Sequence, residues 1–372
     1  MKFTINSGDF HRRLATVAKA QASKSSLTIL ENVLLDMSGN TITLTASDSS
    51  ISLISSMEVA NAEGGGRICL PTATMTSALK ELANQPITLD INNETYEINI
   101  TYNGGKFQLM GLAAEDFPII PTYDNATTIK AGIIANGISK VVSCVANDEL
   151  RPIMNGICMD FTPDGLVFVA SDGHKLARYQ YTDVHDDKLQ RYVLPTKTSQ
   201  ILSLIADKQD DDVMVTITDR NAQFVTNDYR LISVLQEGTY PKYDSVIPQN
   251  NPFTARVNRA AMVSALRRIL VFASESTSLI SLHINAAQMV IAAQNIEFGQ
   301  SSEEIVNCDS NCNDFKIGFK GTFLLELLRI MASEDIILNL ASPQQAVVIT
   351  PPEQPENERQ LLLLMPMMLS DN

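Results

Sequence analysis

The chain lacks any apolar run of about eighteen residues or more, so no segment is built to cross a bilayer as a helix. Its densest apolar stretch, Leu361 to Leu369, is short and is broken by Pro366. No apolar signal core precedes the strand-like alternation at Phe3 to Ile5, and cysteines are few, odd in number and scattered. Both absences predict a protein of the reducing cytoplasm without a disulfide framework. Basic residues are outnumbered: Lys+Arg 28 against Asp+Glu 42 leaves a net charge of −14, the reverse of a sequence-specific DNA-binding domain. Any contact with nucleic acid must come from a local basic face. There is no G-x-x-x-x-G-K phosphate loop, and Gly64-Gly65-Gly66 reads as a turn. Cys308 and Cys312 lie four apart with no second ligand pair nearby, so neither a metal nor any other cofactor is expected.

What is present is an ordinary folding composition, 45% hydrophobic and 19% charged, in 372 residues. That length exceeds what one core usually fills, so about two or three domains are expected. Internal repetition supports three. Leu70-Pro71-Thr72 returns 124 positions later as Leu194-Pro195-Thr196, and Ala46-Ser47-Asp48 returns at the same interval as Ala170-Ser171-Asp172. Phe117-Pro118 returns as Tyr240-Pro241, and a weaker third copy opens at Phe253.

Each third starts with a strand and an amphipathic helix. The helices carry apolar residues at Phe10, Leu14 and Val17; at Ile134, Ile138, Val142 and Val145; and at Met262, Leu266 and Ile269. Asp9, Asn136 and Asn258 are the candidate caps. Second helices are predicted over 74–83, 198–206 and 321–332, and strands over 41–45, 87–91, 214–217 and 346–350. Short turns at 38–40, 103–105 and 163–165 favour antiparallel pairing. Linkers rich in turn formers at 121–127 and 248–252 set the expected domains at 1–121, 127–248 and 252–372, an α+β chain with two helices per domain.

The most enzyme-like cluster is Ser171, Asp172 and His174. Neighbouring side chains on a strand point to opposite faces, which works against a triad made within one short turn. The alternative is a structural turn in which Asp172 takes backbone donors and Gly173 adopts positive φ.

Several segments together resemble the bacterial DNA polymerase III beta subunit family, the sliding clamps. They are Met1-Lys2-Phe3-Thr4, Leu27 to Asn32, Arg151 to Gly156, Ala170 to Ala177, the Phe117-Pro118 and Tyr240-Pro241 domain ends, and the terminal Met365-Pro366-Met367-Met368-Leu369. The resemblance runs the length of the chain. It implies a DNA-clamp fold of three similar domains, a head-to-tail homodimer closed as a ring, and duplex DNA held without sequence preference. Twelve helices spaced roughly 10 Å apart would close a ring about 38 Å across at their axes, leaving about 28 Å inside, room for a duplex.

The resemblance further implies a groove for short linear motifs of the polymerase III alpha subunit, the clamp loader, other polymerases and repair proteins. Carried over by position, its residues are Met154, Ser171, Gly173, His174, Lys175, Leu176, Pro241, Val246, Ala346, Val347, Met365, Pro366, Met367 and Met368. Methionine is flexible and polarisable, which suits a shared docking site. Lys175 stands where the family often has Arg, Ser245 where a basic residue is common, and Met368 where Arg follows Met-Pro-Met; the chain then continues through Ser370, Asp371 and Asn372.

The DNA-facing candidates are Arg12, Arg13, Lys19, Lys80, Lys140, Lys197, Arg259, Arg267, Arg268, Lys320 and Arg329 on the helices, with Lys24 in the loop after the first. Acidic residues crowd elsewhere, at 183–187, 210–212 and 353–358. Flexible cations on phosphates carry no sequence information and permit sliding. The dimer contact is implied between Phe107 and Leu109 of one subunit and Val271 and Phe272 of the next. The expected function is a non-catalytic clamp that confers processivity. Its rivals are a clamp-like paralogue serving as a peptide-binding scaffold and an enzyme using Asp172 and His174.

Overall fold

The structure is a computed structural model, and it describes residues 1–24, 27–186 and 190–369. The last acidic residue of the 183–187 stretch, Asp187, and the terminal Ser370, Asp371 and Asn372 lie outside the described residues.

The threefold repetition is plain in the element order. The first third runs β1 (Lys2–Asn6), α1 (Ser7–Val17), β2 (Val33–Ser38), β3 (Thr41–Ser47), β4 (Ile51–Glu58), β5 (Ala60–Glu63), β6 (Gly66–Leu70), α2 (Thr72–Lys80), β7 (Pro86–Ile91), β8 (Glu97–Tyr102) and β9 (Gly105–Met110). The second repeats it as β10 (Thr127–Lys130), α3 (Ala131–Val141), β11 (Gly156–Thr162), β12 (Gly165–Ser171), β13 (Lys175–Tyr181), β14 (Tyr192–Pro195), α4 (Thr196–Ile205), β15 (Asp212–Ile217), β16 (Asn221–Val225) and β17 (Arg230–Val234). The third comprises β18 (Phe253–Asn258), α5 (Arg259–Ile269), β19 (Leu279–Ile284), β20 (Gln288–Asn295), β21 (Gln300–Ser310), β22 (Phe315–Lys320), α6 (Gly321–Ile330), β23 (Asp335–Leu340), β24 (Val347–Thr350) and β25 (Glu358–Leu364). The hairpins close where the turn residues placed them, with Ser38 opposite Thr41, Tyr102 opposite Gly105 and Thr162 opposite Gly165, all antiparallel.

These elements gather into two compact units, Met1–Ile134 with Ile201–Leu235, and Ala135–Gln200 with Gln236–Asn372. The first unit holds a sheet ordered β5-β1-β7-β8-β9 and another ordered β10-β15-β16-β17-β4-β3-β2-β6. The second holds one continuous sheet, β14-β11-β12-β13-β25-β24-β23-β18-β21-β20-β19-β22.

The helices bury the faces their spacing predicts: Phe10, Leu14 and Val17 on α1, and Met262, Leu266 and Ile269 on α5, are sealed from solvent. Asn258 caps α5 by accepting from the Ala261 amide at 3.0 Å. The other two caps differ. Strand β1 stays extended through Asn6, so Asn6 caps α1, accepting from Gly8 and Asp9, and Asp9 falls in the first helical turn. Helix α3 starts directly after β10; the Ala131 and Gly132 amides donate to the Asp211 and Gln209 carbonyls, and no side-chain cap is needed there. Asn136 is therefore mid-helix, where its amide donates to the Tyr179 and Tyr181 hydroxyls. The same helix tightens into a 3-10 turn at Val142–Cys144, which rotates Cys144 inward and leaves Val142 and Val145 half-buried.

Candidate functional site

A cleft of about 600 Å³ opens in the second unit, between the β12–β13 turn, the segment 240–248 and the chain around Ala346 and Met365. Its inner layer is apolar: Cys158, Val167, Val169, Leu176 and Val193 from the sheet, packed under Tyr240, Tyr243, Ala346 and Leu363. Burial pushes the Cys158 thiol up to about 12, so it packs as an unreactive apolar group.

The β12–β13 turn forms one rim. Asp172 accepts from the His174 and Lys175 amides at 2.8 Å each, while the Ser171 hydroxyl donates to the Lys175 carbonyl at 2.9 Å and accepts from Gly173 at 3.1 Å. Gly173 takes φ +90, a conformation that costs an L side chain strain. Ser171 and Asp172 are thus bonded to the backbone of their own turn and shape it, which is the structural reading and not a nucleophile beside a base. His174 stands exposed at the rim, and its carbonyl accepts from the Met365 amide at 2.8 Å.

Of the residues carried over to this groove, Met154, Ser171, Gly173, His174, Lys175, Leu176, Pro241, Val246, Ala346 and Met365 line the cleft. Lys175 does so with its stem only. Its side chain is 6% exposed, and the ammonium donates to the Ser143 carbonyl, pairs with Glu326 and lies 4.9 Å from the Phe323 ring centroid. A cation this deep needs such partners, so it offers no charge at the rim. Val347 is buried in β24 opposite Leu364 and points away from the cleft. The tail leaves after Met365: the Met367 amide donates to Gly318 of β22 at 2.8 Å, and Met368 projects into solvent. Pro366, Met367 and Met368 are therefore off the cleft lining. The lining also includes Arg151, Tyr240, Tyr243, Ile247, Gln344, Gln345 and Leu363. Tyr240 was visible in the sequence as a repeat marker, but nothing local marks it as a wall.

The cationic candidates divide by what they touch. Arg13 bonds the Asp228 carboxylate at 2.5 Å and Ser55 at 3.0 Å, lies over the Tyr229 ring and is only 16% exposed. Arg268 forms a two-pronged pair with Glu304 at 2.7 Å, which raises its own pKa and lowers that of Glu304. Arg259 donates to the Ser333 carbonyl, Lys320 sits over the Phe323 ring, and Lys140 donates to the Ile330 carbonyl, its pKa lowered by desolvation. Arg12 makes an exposed pair with Asp9. Lys19, Lys24, Lys80, Arg267 and Arg329 are exposed and present their charge to solvent, and Lys197 is exposed as well.

Phe107 and Leu109 lie half-buried on one face of β9, an outer strand of its sheet, and Val271 and Phe272 are exposed just after α5. Ile296, Phe298 and Ile305, around the start of β21, are exposed as well. Among the described residues no cluster of three or more His, Cys, Asp or Glu is placed to hold a metal, and no helix is long and apolar enough to cross a membrane.

Comparison with known proteins covers nearly the whole chain. Models of the DNA polymerase III beta subunit match in succession: the N-terminal domain at residues 1–121, the central domain at 128–242 and the C-terminal domain at 244–368. The beta sliding clamp of Synechocystis sp. is 28% identical over 378 residues, covering 94% of this chain and 96% of its own. That of Bacillus subtilis is 27% identical over 375 residues, covering 98% and 99%. The solved DNA polymerase sliding clamp of Bacillus subtilis superposes with a TM-score of 0.91 at 25% identity over all of both chains. With three matched domains in one order, the repeat, the antiparallel sheets and the cleft have a single explanation: the chain belongs to the DNA polymerase III beta subunit family and is a DNA sliding clamp.

Proposed function

We propose that two copies of this chain close head to tail around duplex DNA, and that the cleft beside His174 tethers the polymerase III alpha subunit, the clamp loader and other partners by short peptide motifs. The observation that carries the closure is a strand seam that occurs twice within the chain and is left open a third time. The last strand of the second third, β17, pairs with β4; the last strand of the third, β25, pairs with β13. Among the described residues, the last strand of the first third, β9, has a free edge, and Gln300–Asn307 of β21 pairs on one side only.

The repetition also supplies a register. Across the eight-stranded sheet of the first unit Cys69, Leu34, Thr45 and Ile54 stand in one row that ends on Arg230. Across the sheet of the second unit, Val193, Cys158, Val169 and Arg178 end on Leu361. The third row, Gly318, Ser281, Ala292 and Glu303, ends at the open edge. Leu112, Gln236 and Met367 bond Cys69, Val193 and Gly318 alike, and Lys106 precedes Leu112 by the interval that separates Arg230 from Gln236 and Leu361 from Met367. Lys106 then falls opposite Glu303 of the partner subunit, an opposite-charge pair, with Phe107 and Leu109 on the side of Val271 and Phe272.

The domain limits 1–121, 127–248 and 252–372 fit this scheme, since 118–126 and 248–252 are without helix or strand. The clamp works without catalysis or cofactor, in the cytoplasm. Its effect is to hold a polymerase beside its template at roughly millimolar local concentration. The exposed cations, Lys24 and Arg267 among them, meet phosphates without reading sequence. Loading onto nicked circular DNA tests the closure: protein retained on the circle should be released when the DNA is linearised. Equal retention on linear and circular DNA would overturn it, and a paralogue acting only as a scaffold would bind peptide without being trapped.

A further inference from the structure

The cleft has one wall that comes from neither sheet nor helix: the 3-10 turn Tyr243–Val246, followed by Ile247. Apart from Tyr243 and a long contact from Arg178 to Asp244 at 3.8 Å, its described polar contacts are local, from Ser245 to Lys242, from Ile247 to Asp244 and from Gln249 to the Ile247 carbonyl. Tyr243 is the anchor. Its hydroxyl donates at 2.8 Å to Asp160, a carboxylate on β11 that is only 6% exposed. Asp160 is in turn paired with Arg191, whose Nε donates to it at 2.9 Å and whose guanidinium lies 5.4 Å from the centroid of the Tyr243 ring. Burial first, then the bond to Asp160, pushes the Tyr243 phenol well above its ordinary value, which keeps it a donor.

Resting on the reading of this cleft as a peptide site, we propose that Asp160 and Arg191 are positioning residues for it. Through Tyr243 they hold the turn so that Val246 and Ile247 face an apolar side chain of the bound peptide. Arg191 lies 38% exposed behind the wall and does not line the cleft, so it acts on the ligand only through Asp160 and Tyr243. The buried carboxylate needs that partner: without the guanidinium it would keep a charge with one neutral donor. A wall held by a charge-assisted bond is a fixed one, and a fixed wall discriminates among apolar side chains where a loose turn would adapt.

The test uses the intact protein and fluorescence anisotropy with a labelled Gln-Leu-type peptide bearing two apolar anchors, together with versions in which each anchor is replaced by alanine. Arg191→Ala and Tyr243→Phe are each expected to weaken the full peptide about tenfold. That loss should fall to under about twofold for the peptide lacking the anchor that faces the turn, since the coupling then has nothing to act on. Arg191→Lys should recover part of the affinity. Tyr243→Phe keeps the buried ring, so it reports on the bond even where Arg191→Ala lowers the melting temperature. Wild-type protein that binds none of the peptides would overturn the cleft as a peptide site. Wild-type binding with unchanged affinity in Tyr243→Phe, or an equal loss for every peptide, would overturn the positioning role alone.

Discussion

The first and middle thirds of the chain build the same turn at the same place, and the middle one borders the cleft beside His174. In the first third Ser47 donates to the Ile51 carbonyl, Asp48 accepts from the Ser50 and Ile51 amides, and Ser49 carries φ +77. In the middle third Ser171, Asp172 and Gly173 do the same, with φ +90 at the glycine. Even the next seam bond is shared: Val234 donates to Ser50, and Met365 to His174, both at 2.8 Å. What differs is the cover. Phe117 packs with Leu30 and Ala114 onto Leu34 and Cys69. Tyr240 packs onto Cys158 in the corresponding place, but the chain runs on into the Tyr243 turn and leaves room between that turn and the sheet. The turn is therefore a fold element, and the cleft is made by the segment that crosses it.

The largest expected effect concerns the third strand seam, the one we propose another subunit completes. Phe272→Asp places a charge in the apolar contact beside the open β21 edge and is expected to weaken dimerisation about a thousandfold, roughly 4 kcal/mol. Light scattering at micromolar concentration reads it as a shift from near twice 40.8 kDa to a single chain. A wild-type monomer under those conditions would show that the seam does not close.

A paired truncation separates cover from site. Phe117→Ala and Tyr240→Ala each remove a buried aromatic side chain and should cost about 3 kcal/mol in denaturant unfolding. Only Tyr240→Ala should also abolish anisotropy with the Gln-Leu-type peptide, and equal peptide loss in both would erase the distinction between the two thirds.

The smallest effect probes the turn itself. Gly173→Ala forces a Cβ into a left-handed conformation and should cost about 1 kcal/mol, whereas Ser49→Gly relieves the same strain and should be neutral or stabilising by a few tenths. If the two turns share one backbone, thermal unfolding should show a lowered melting temperature for Gly173→Ala and an unchanged or raised one for Ser49→Gly.

By itself the sequence determined the repeat, the helical faces and the hairpins, because each depends on residues a few positions apart. Phe10, Leu14 and Val17 share a face through helical spacing alone, and Asn258 caps α5 because β18 ends on it. Three-dimensional packing decided what no local pattern carries. Asp9 and Asn136 have the chemistry of caps, but where a helix begins was settled by how far the preceding strand stays paired. Arg13 looks like any surface arginine until Asp228, 215 positions away, takes its charge, and Lys175 resembles a rim cation until Glu326 draws it inward. Met365 and Met367 are two residues apart, yet one faces the cleft and the other is bonded to Gly318, where a Cβ would meet the Met367 carbonyl at 2.6 Å. Charge partners and cleft walls come from elements remote in the chain, so which cations stay exposed and which residues line the cleft were decided only when those elements packed.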